Sequence, residues 1–208
     1  MAITFNPIDK SANVTLSNGN LTASVGEVAW SSIRATAAKS SEKWYWEFTT
    51  GAFTDAVLGI AQSGMLLSNY VGLDSNGYGL WDNGQTYYNS LSIASPPYYT
   101  GDIISVALDL DNAKIWWAIN GTWIDSEANP ATGVNPRYSG IAEGDWYPAG
   151  SLSYTSAVTV NFGATAFSYT IPSGFSAYET SIISSEHIPR IRQKPTNFYN
   201  PFPLLGGV

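Results

Sequence analysis

The chain of 208 residues carries a formal net charge of −7, is 14% aromatic and 12% charged, and contains no cysteine. This length suits one large all-β domain or a domain with an appendage, and either can bury a sizeable core. The absence of thiols excludes a disulfide framework, a thiolate metal site and a cysteine nucleophile. The acidic charge argues against nucleic acid or an anionic membrane surface as the main partner.

The amino-terminal residues lack the features of a signal peptide. Residues 1–9 have neither a basic start nor an apolar stretch, and no run of about 18 apolar residues occurs in the sequence. We therefore expect synthesis without a signal peptide and no membrane insertion.

Residues 30–36, Trp-Ser-Ser-Ile-Arg-Ala-Thr, form the first predicted strand block and contain Arg34. An arginine between strands is usually satisfied by a local acidic partner. We therefore predict an ion pair of Arg34 with Glu47 or Asp55. Contact of Arg34 with a ligand is the less favoured alternative.

Residues 43–50, Lys-Trp-Tyr-Trp-Glu-Phe-Thr-Thr, predict a strand with very large inward side chains. Trp44, Trp46 and Phe48 fall on one side of a period-2 pattern. The opposite side holds the polar residues Lys43, Glu47 and Thr49. This pattern predicts a half-buried strand whose polar face contacts solvent.

An aromatic cluster follows between positions 70 and 99, and its Gly and Pro content predicts loops between strands. Tyrosine and tryptophan offer wide contact area with few rotatable bonds and a polar tip for a hydrogen bond. The candidate ligand-binding residues are Tyr70, Tyr78, Trp81, Tyr87, Tyr88, Tyr98 and Tyr99. The alternative for each of them is a place in the core or at its rim.

Further along the chain, apolar and polar residues alternate regularly. Residues 104–110 and 115–119 predict two strands joined at Asp111-Asn112-Ala113. Asn120-Gly121 is the signature of a two-residue hairpin, because both central residues of its turn need positive φ. The alternation returns at residues 158–162, and no segment shows a sustained 3.6-residue apolar period, so little helix is expected.

Residues 184–208 differ in kind from residues 1–183. They contain four prolines and have a net charge of +2 from three basic residues and one acidic residue, whereas residues 1–183 have six basic and fifteen acidic residues and a net charge of −9. We predict a domain at 1–183 and an extended Pro-rich arm at 184–208 that docks on its own body or on a neighbouring subunit. A disordered terminus is the alternative. The candidate docking residues of the arm are Ile188, Arg190, Ile191, Arg192, Phe198, Tyr199, Phe202, Leu204 and Leu205.

These blocks together resemble the SPRY domain, the core of the B30.2 type of β-sandwich. The resemblance is carried, in the family's order, by residues 30–36, 43–48, 57–61, 101–111, 115–121, 147–152 and 160–163. It implies an all-β fold, a two-sheet antiparallel β-sandwich of the SPRY or concanavalin-like jelly-roll kind. It also implies a recognition surface formed by loops at one end and no catalytic centre.

The Ser/Thr/Asn/Gly-rich leader at residues 14–22 is similar to SPRY-like domains of bacteriophage tail, fibre and other virion proteins. The familiar eukaryotic members sit beside ubiquitin-ligase or channel modules, and no such module precedes the sandwich here, so a ligase adaptor is not expected. The leading hypothesis is a non-enzymatic binding module of a bacteriophage tail, fibre or decoration protein that recognises a host surface glycan or protein. Its expected localisation is the virion, after synthesis in the host cytoplasm.

A purely structural role is the second hypothesis. In it, the protein is a virion connector or decoration protein whose arm docks on other virion proteins, as a homo-oligomer or as part of a larger assembly. The arm favours this hypothesis, whereas the loop aromatics favour recognition of a host.

The sequence offers few residues for catalytic or metal chemistry. The only histidine is His187, in the predicted arm, so a Ser-His-Asp arrangement in the body is excluded. A carboxylate-based glycan depolymerase is the minor alternative, with candidate carboxylates at Asp74, Asp82, Asp109, Asp111, Asp125 and Glu143. Half of them stand directly beside Asn or Gly, where an acidic residue serves turn geometry. Asp74-x-Asn76 and Asp109-x-Asp111 lack the terminal Glu of a calcium loop, so no metal and no cofactor are predicted.

Overall fold

The computed structural model describes residues 2–52 and 55–179. Within these ranges the chain forms sixteen β-strands and one turn of 3₁₀ helix at Pro130–Thr132. The strands are β1 (Phe5–Lys10), β2 (Thr15–Ser17), β3 (Thr22–Val25), β4 (Ser31–Ala35), β5 (Lys43–Thr50), β6 (Asp55–Ala61), β7 (Gly77–Trp81), β8 (Gln85–Tyr88), β9 (Leu91–Ala94), β10 (Ile103–Asp109), β11 (Lys114–Ile119), β12 (Thr122–Trp123), β13 (Tyr138–Ser139), β14 (Tyr147–Ser153), β15 (Ser156–Asn161) and β16 (Ser176–Ala177). Over the same residues, no helix has the length and apolar character that crossing a membrane requires.

The strands form two sheets. Sheet A has seven strands in the order β1-β4-β14-β6-β7-β8-β9. Sheet B has nine strands, seven in the order β12-β11-β10-β5-β15-β3-β2, with β13 beside β11 and β16 beside β5. Neighbouring strands are antiparallel, except that β16 runs parallel to β5. The predicted all-β fold, a two-sheet antiparallel β-sandwich, is confirmed.

The main core lies between the two sheets. Trp44, Trp46 and Phe48 of β5 face this core, as the period-2 pattern predicted. Trp117 of β11 crosses the sandwich and donates its Nε1–H to the carbonyl oxygen of Leu58 at 3.1 Å. Burial of such large rings is a main source of stability, and the hydrogen bond removes the penalty of burying the indole N–H.

The middle of the outer face of β5 is also buried, so the prediction of a half-buried strand is wrong there. Thr49, nearer the end of the strand, is exposed as the pattern predicted. Residues 166–177, here called the strap, cross this face and cover Tyr45 and Glu47. The Glu47 carboxylate accepts the backbone N–H groups of Ser168 at 2.8 Å and Tyr169 at 2.9 Å, and the Tyr45 hydroxyl at 2.8 Å. A carboxylate with three donors tolerates burial. Glu47, a polar residue of the period-2 pattern, therefore binds the strap instead of contacting water.

Two-residue turns join several of the strands. The predicted hairpin at Asn120-Gly121 is confirmed, since its residues have φ values of 48° and 78° and join β11 to β12. A second hairpin joins β8 to β9 at Asn89-Ser90, with φ values of 50° and 62°. The sequence does not signal this turn, because neither residue is a glycine.

Arg34 forms a local ion pair, as predicted, but the expected partners Glu47 and Asp55 are wrong. Its Nε and Nη2 atoms donate to the Asp9 carboxylate at 2.8 Å and 2.7 Å. The reason is strand order, because β1 pairs with β4 in sheet A and brings Asp9 beside Arg34. Glu47 lies in the opposite sheet.

The predicted arm at 184–208 lies outside the described residues, together with His187 and the candidate docking residues from Ile188 to Leu205. The last described residues, up to 179, are still part of the sandwich. Tyr178 is buried and donates its hydroxyl to the Ala37 carbonyl oxygen at 2.9 Å. The domain boundary near residue 184 stays a prediction.

We expect Glu47→Ala to lower the free energy of unfolding by about 2–4 kcal/mol, because two backbone N–H groups and one hydroxyl lose a charged acceptor. Glu47→Gln keeps an acceptor oxygen and should lose less. Urea denaturation monitored by tryptophan fluorescence measures the change. The control is Glu143→Ala, an exposed site where the change should stay within about 0.5 kcal/mol. Equal stability of the wild type and Glu47→Ala would show that apolar contacts alone hold the strap.

Candidate functional site

Four aromatic side chains, Trp30, Tyr70, Trp81 and Tyr87, meet on the outer face of sheet A and are here called the aromatic platform. The ring centroid of Trp81 lies 5.0 Å from that of Trp30, 5.1 Å from that of Tyr70 and 5.2 Å from that of Tyr87. Tyr70 also contacts Trp30 at 5.5 Å and Tyr87 at 5.7 Å. All four residues are half-buried, so they form one continuous, partly exposed aromatic surface.

Three of the four rings are held by the strands of sheet A. Trp81 ends β7, Tyr87 lies in β8, and Trp30 directly precedes β4. Their side chains point away from the main core, because successive side chains of a strand alternate between its two faces. Beneath the platform lies a small apolar layer formed by Val57, Ala61, Met65, Val71 and Ala149.

Tyr70 comes from the loop of residues 62–76, which lies directly on the sheet. Two glycines of β7 permit this close approach. A Cβ atom at Gly79 would lie 2.7 Å from the carbonyl oxygen of Val71, and one at Gly77 would lie 2.8 Å from the nitrogen of Gly72. Only a residue without a side chain fits at such distances. The two glycines therefore bring Tyr70 into ring contact with Trp81.

Buried polar side chains fasten this loop to the sheet. The Ser151 hydroxyl accepts the Val71 N–H at 2.9 Å, and the Ser32 hydroxyl donates to the Asn69 carbonyl oxygen at 2.5 Å. The two hydroxyl oxygens are 2.6 Å apart. Arg34 adds hydrogen bonds to two more loop carbonyl oxygens, at 3.2 Å and 2.9 Å. The platform is therefore supported by satisfied buried groups, which favour a surface that is formed before a ligand binds.

Polar groups line the rim of the platform. Asp55 accepts the Nε1–H of Trp81 at 3.2 Å, and the side-chain oxygen of Gln85 accepts the Tyr87 hydroxyl. Burial raises the pKa of the Tyr70 hydroxyl, with a further contribution from Tyr87, so this hydroxyl stays neutral at neutral pH. The rim thus offers both donors and acceptors beside the ring faces.

Three of the seven candidate ligand-binding residues, Tyr70, Trp81 and Tyr87, are brought together on the platform. The fourth platform ring, Trp30, was not a candidate. A signal for it was present, because Trp30, Ser32 and Arg34 share one side of the period-2 pattern, and a large aromatic residue stands on an otherwise polar face.

The other four candidates lie elsewhere. Tyr78 and Tyr98 are only 3% and 1% exposed, so the prediction that they face a ligand is wrong: both rings fill the main core. Tyr88 stacks on Tyr78 at 4.2 Å on the core side of sheet A. Tyr99 is 66% exposed and has no ring partner among the described residues.

The prediction of loops is wrong for part of this region, because residues 77–81, 85–88 and 91–94 form β7, β8 and β9. The glycines that indicated turns include Gly77 and Gly79, which lie inside β7. They serve the close packing of the loop on the sheet.

The candidate carboxylates are engaged in local structure. Asp74, Asp82 and Asp111 accept backbone N–H groups. Asp109 and Asp125 form ion pairs with Lys43 and Arg137, and Glu143 is exposed. Across the described part of the chain, no group of three or more His, Cys, Asp or Glu residues is placed to hold a metal ion. Backbone hydrogen bonds and ion pairs therefore engage five of the six carboxylates.

Comparison with known proteins agrees with this architecture. The sequence profile of the SPRY domain family matches residues 43–165. The crystal structure of the SPRY domain of human HERC1 superposes with a TM-score of 0.61 at 16% sequence identity, over 78% of this chain and 99% of that chain. The chain therefore belongs to the SPRY domain family. SPRY domains are typically protein–protein interaction modules and are generally non-enzymatic.

We expect Gly79→Ala to push the loop away from the sheet, because the added Cβ would lie 2.4 Å from Val57 Cγ1 and 2.7 Å from the Val71 oxygen. Overpacking of this kind destabilises by about 1–3 kcal/mol. The near-ultraviolet circular dichroism of the packed rings should weaken as Tyr70 separates from Trp81. Gly26→Ala is the matched control, since nothing lies within 4 Å of its added Cβ. An unchanged spectrum for Gly79→Ala would contradict the role of this glycine.

We expect Asp82 to make the stability depend on pH. Burial, with a smaller contribution from the nearby Asp55, raises its pKa to about 6 despite the hydrogen bond from Ala56. The folded protein therefore binds a proton here more tightly than the unfolded chain does. The contribution of this group to stability grows as the pH falls through about 6 and is complete below the ordinary value of 3.8.

Asp82→Asn, which keeps an acceptor for Ala56, should remove this contribution. The unfolding free energies of wild type and variant, measured in urea at about pH 7 and about pH 4.5, should differ in their pH response by about 1 kcal/mol, because solvent screens part of the effect at this half-buried site. Parallel responses of the two proteins would show that Asp82 titrates normally.

Proposed function

We propose that this SPRY domain is a non-enzymatic binding module of a bacteriophage virion, in a tail, fibre or decoration protein, and that the aromatic platform contacts its ligand. The observation that carries the proposal is the platform itself, four half-buried rings in mutual contact on a firmly hydrogen-bonded support. Large rings are normally buried in a core, and a contiguous exposed group of them marks a contact surface.

The proposed ligand is a host surface glycan or protein. The faces of the platform rings fit the apolar face of a sugar ring or an apolar side chain. Asp55, Gln85 and the Tyr70 hydroxyl supply hydrogen-bond partners at the rim. The net charge of −7 disfavours strongly anionic ligands.

The virion assignment is supported by the leader at residues 14–22, which is similar to the SPRY-like domains of phage virion proteins. This leader spans β2 and the turn into β3, at the edge of sheet B. The platform lies on the outer face of the other sheet, so a virion contact at the leader would not cover the platform. In this proposal the protein is synthesised in the host cytoplasm and resides in the virion.

We expect the double variant Tyr70→Ala/Tyr87→Ala to lose binding roughly tenfold or more, because aromatic side chains dominate the energy of such contacts. A microarray of bacterial surface glycans and a pull-down of intact bacterial cells measure the binding. The fold should be kept, with the melting temperature lowered by only a few degrees, because both rings are half-buried and pack on Trp81 outside the main core.

Two single variants distinguish lost ligand contact from a damaged fold. Tyr99→Ala, at an exposed ring outside the platform, should keep both binding and melting temperature. Tyr88→Ala should lower the melting temperature, because its ring stacks on the buried Tyr78. Loss of binding in Tyr99→Ala with full binding in the double variant would move recognition from the platform to the loop before β10.

The structural alternative assigns the main contacts to the arm at 184–208, and it is favoured by the opposite charges of arm and body, +2 and −9. Deleting residues 184–208 distinguishes the two proposals. Lost incorporation into particles with intact cell binding supports a docking arm. Unchanged assembly removes the structural alternative.

A further inference from the structure

A carboxylate, that of Asp55, lies at the central ring of the aromatic platform. Trp81 is the ring that contacts the other three, and its Nε1–H donates to Asp55 Oδ1 at 3.2 Å. Strand geometry also places Asp55 on the platform side of β6, because Val57 lies in the apolar layer beneath the rings and residues two apart share a face. A ligand on the platform therefore has this carboxylate within reach.

Only one oxygen of this carboxylate is engaged by a described residue. Oδ1 accepts the Trp81 N–H, whereas Oδ2 accepts no hydrogen bond and Asp55 forms no ion pair within the part of the chain that the structure describes. A carboxylate accepts several hydrogen bonds, and those from charged donors are the strongest. Oδ2 is thus an acceptor for a cationic N–H group of a ligand.

The charges around the platform favour a cation. Arg34, which shares the platform face with Trp30, is already bound by the Asp9 carboxylate and by two loop carbonyl oxygens. A second carboxylate, Asp82, lies close to Asp55: burial and, to a smaller degree, the charge of Asp55 raise its pKa to about 6. Ring faces attract cations as well, so the rings and the carboxylates select the same sign of charge.

We propose that the platform binds an amino sugar of a host surface glycan, a sugar whose primary amine is protonated; this inference rests on the proposed function of the platform. The ammonium group donates to Asp55 Oδ2, and the apolar face of the sugar lies on the aromatic rings. Gln85 and the hydroxyls of Tyr70 and Tyr87 supply hydrogen-bond partners for the sugar hydroxyls.

Two related groups fit this site less well. Acetylation of the amine removes its positive charge, and the Asp55 carboxylate would then lose water without gaining an ion pair. A lysine side chain carries its ammonium on a flexible stem, and binding freezes that stem. In an amino sugar the amine is joined directly to the rigid ring that contacts the platform. The sugar is therefore the favoured source of the ammonium.

Isothermal titration calorimetry of the full chain with two sugar trimers tests the charge. The glucosamine trimer and the N-acetylglucosamine trimer share their rings and differ in the charge on nitrogen. The titrations are made at about pH 6, below the usual pKa of about 7.7–8.0 of an α-amino group. The glucosamine trimer should bind roughly tenfold more tightly or better. Equal affinity, or no binding of either trimer, would overturn the inference.

Asp55→Asn tests the residue. It removes the charge and keeps an acceptor for the Trp81 N–H, so circular dichroism should show an intact fold. Affinity for the glucosamine trimer should fall roughly tenfold, whereas affinity for the acetylated trimer should not change. The matched control is Asp111→Asn, the same change in the exposed turn between β10 and β11 of sheet B, which should bind as the wild type does. Equal losses in the two variants would reduce the effect to general attraction by an acidic protein and overturn the role of Asp55.

Two further measurements separate this inference from the proposed function. Trilysine carries ammonium groups without a sugar ring and should bind more weakly than the glucosamine trimer; tighter binding would overturn the assignment to a sugar. Cell binding that is lost in Tyr70→Ala/Tyr87→Ala, without any preference for the amine, would keep the proposed function and overturn the amino sugar. Cell binding that the double variant retains in full would overturn both.

Discussion

The burial of the middle of strand β5 on both of its faces is the constraint on which the rest of the structure depends. Its inner face contributes Trp44 and Trp46 to the core, and its outer face presents the Glu47 carboxylate to the strap. A buried carboxylate is unfavourable unless donors surround it, so sheet and strap stabilise each other. The half-buried aromatic platform lies on the opposite side of the sandwich, on the outer face of sheet A.

The fold was predictable where the signal is local. The alternation of Trp44, Trp46 and Phe48 and the turn at Asn120-Gly121 depend on neighbouring residues, and both predictions are confirmed. The second face of β5 was not predictable in this way, because the segment that buries it is distant in sequence. A polar residue in a period-2 pattern is equally compatible with exposure to solvent and with a buried, hydrogen-bonded position.

The site was predictable in part, since residue type alone indicated Tyr70, Trp81 and Tyr87. Composition does not show which side of a strand an aromatic residue takes, and this is why Tyr78 was placed wrongly. Trp30 was missed because its contact with Trp81 depends on the order of strands in sheet A. Strand order is a property of long-range pairing, which a period in the sequence does not encode.

The aromatic platform combines rings held by strands with one ring held by a loop, and only the loop ring can be exchanged without changing the sheet. Three rings are fixed by strands, whereas Tyr70 belongs to a loop held from below by Ser151 and by the glycines of β7. Grafting a different sequence into residues 66–70 would replace one of the four rings and keep the sheet intact. The domain is therefore a scaffold whose binding range can be diversified at one segment without redesign of its core.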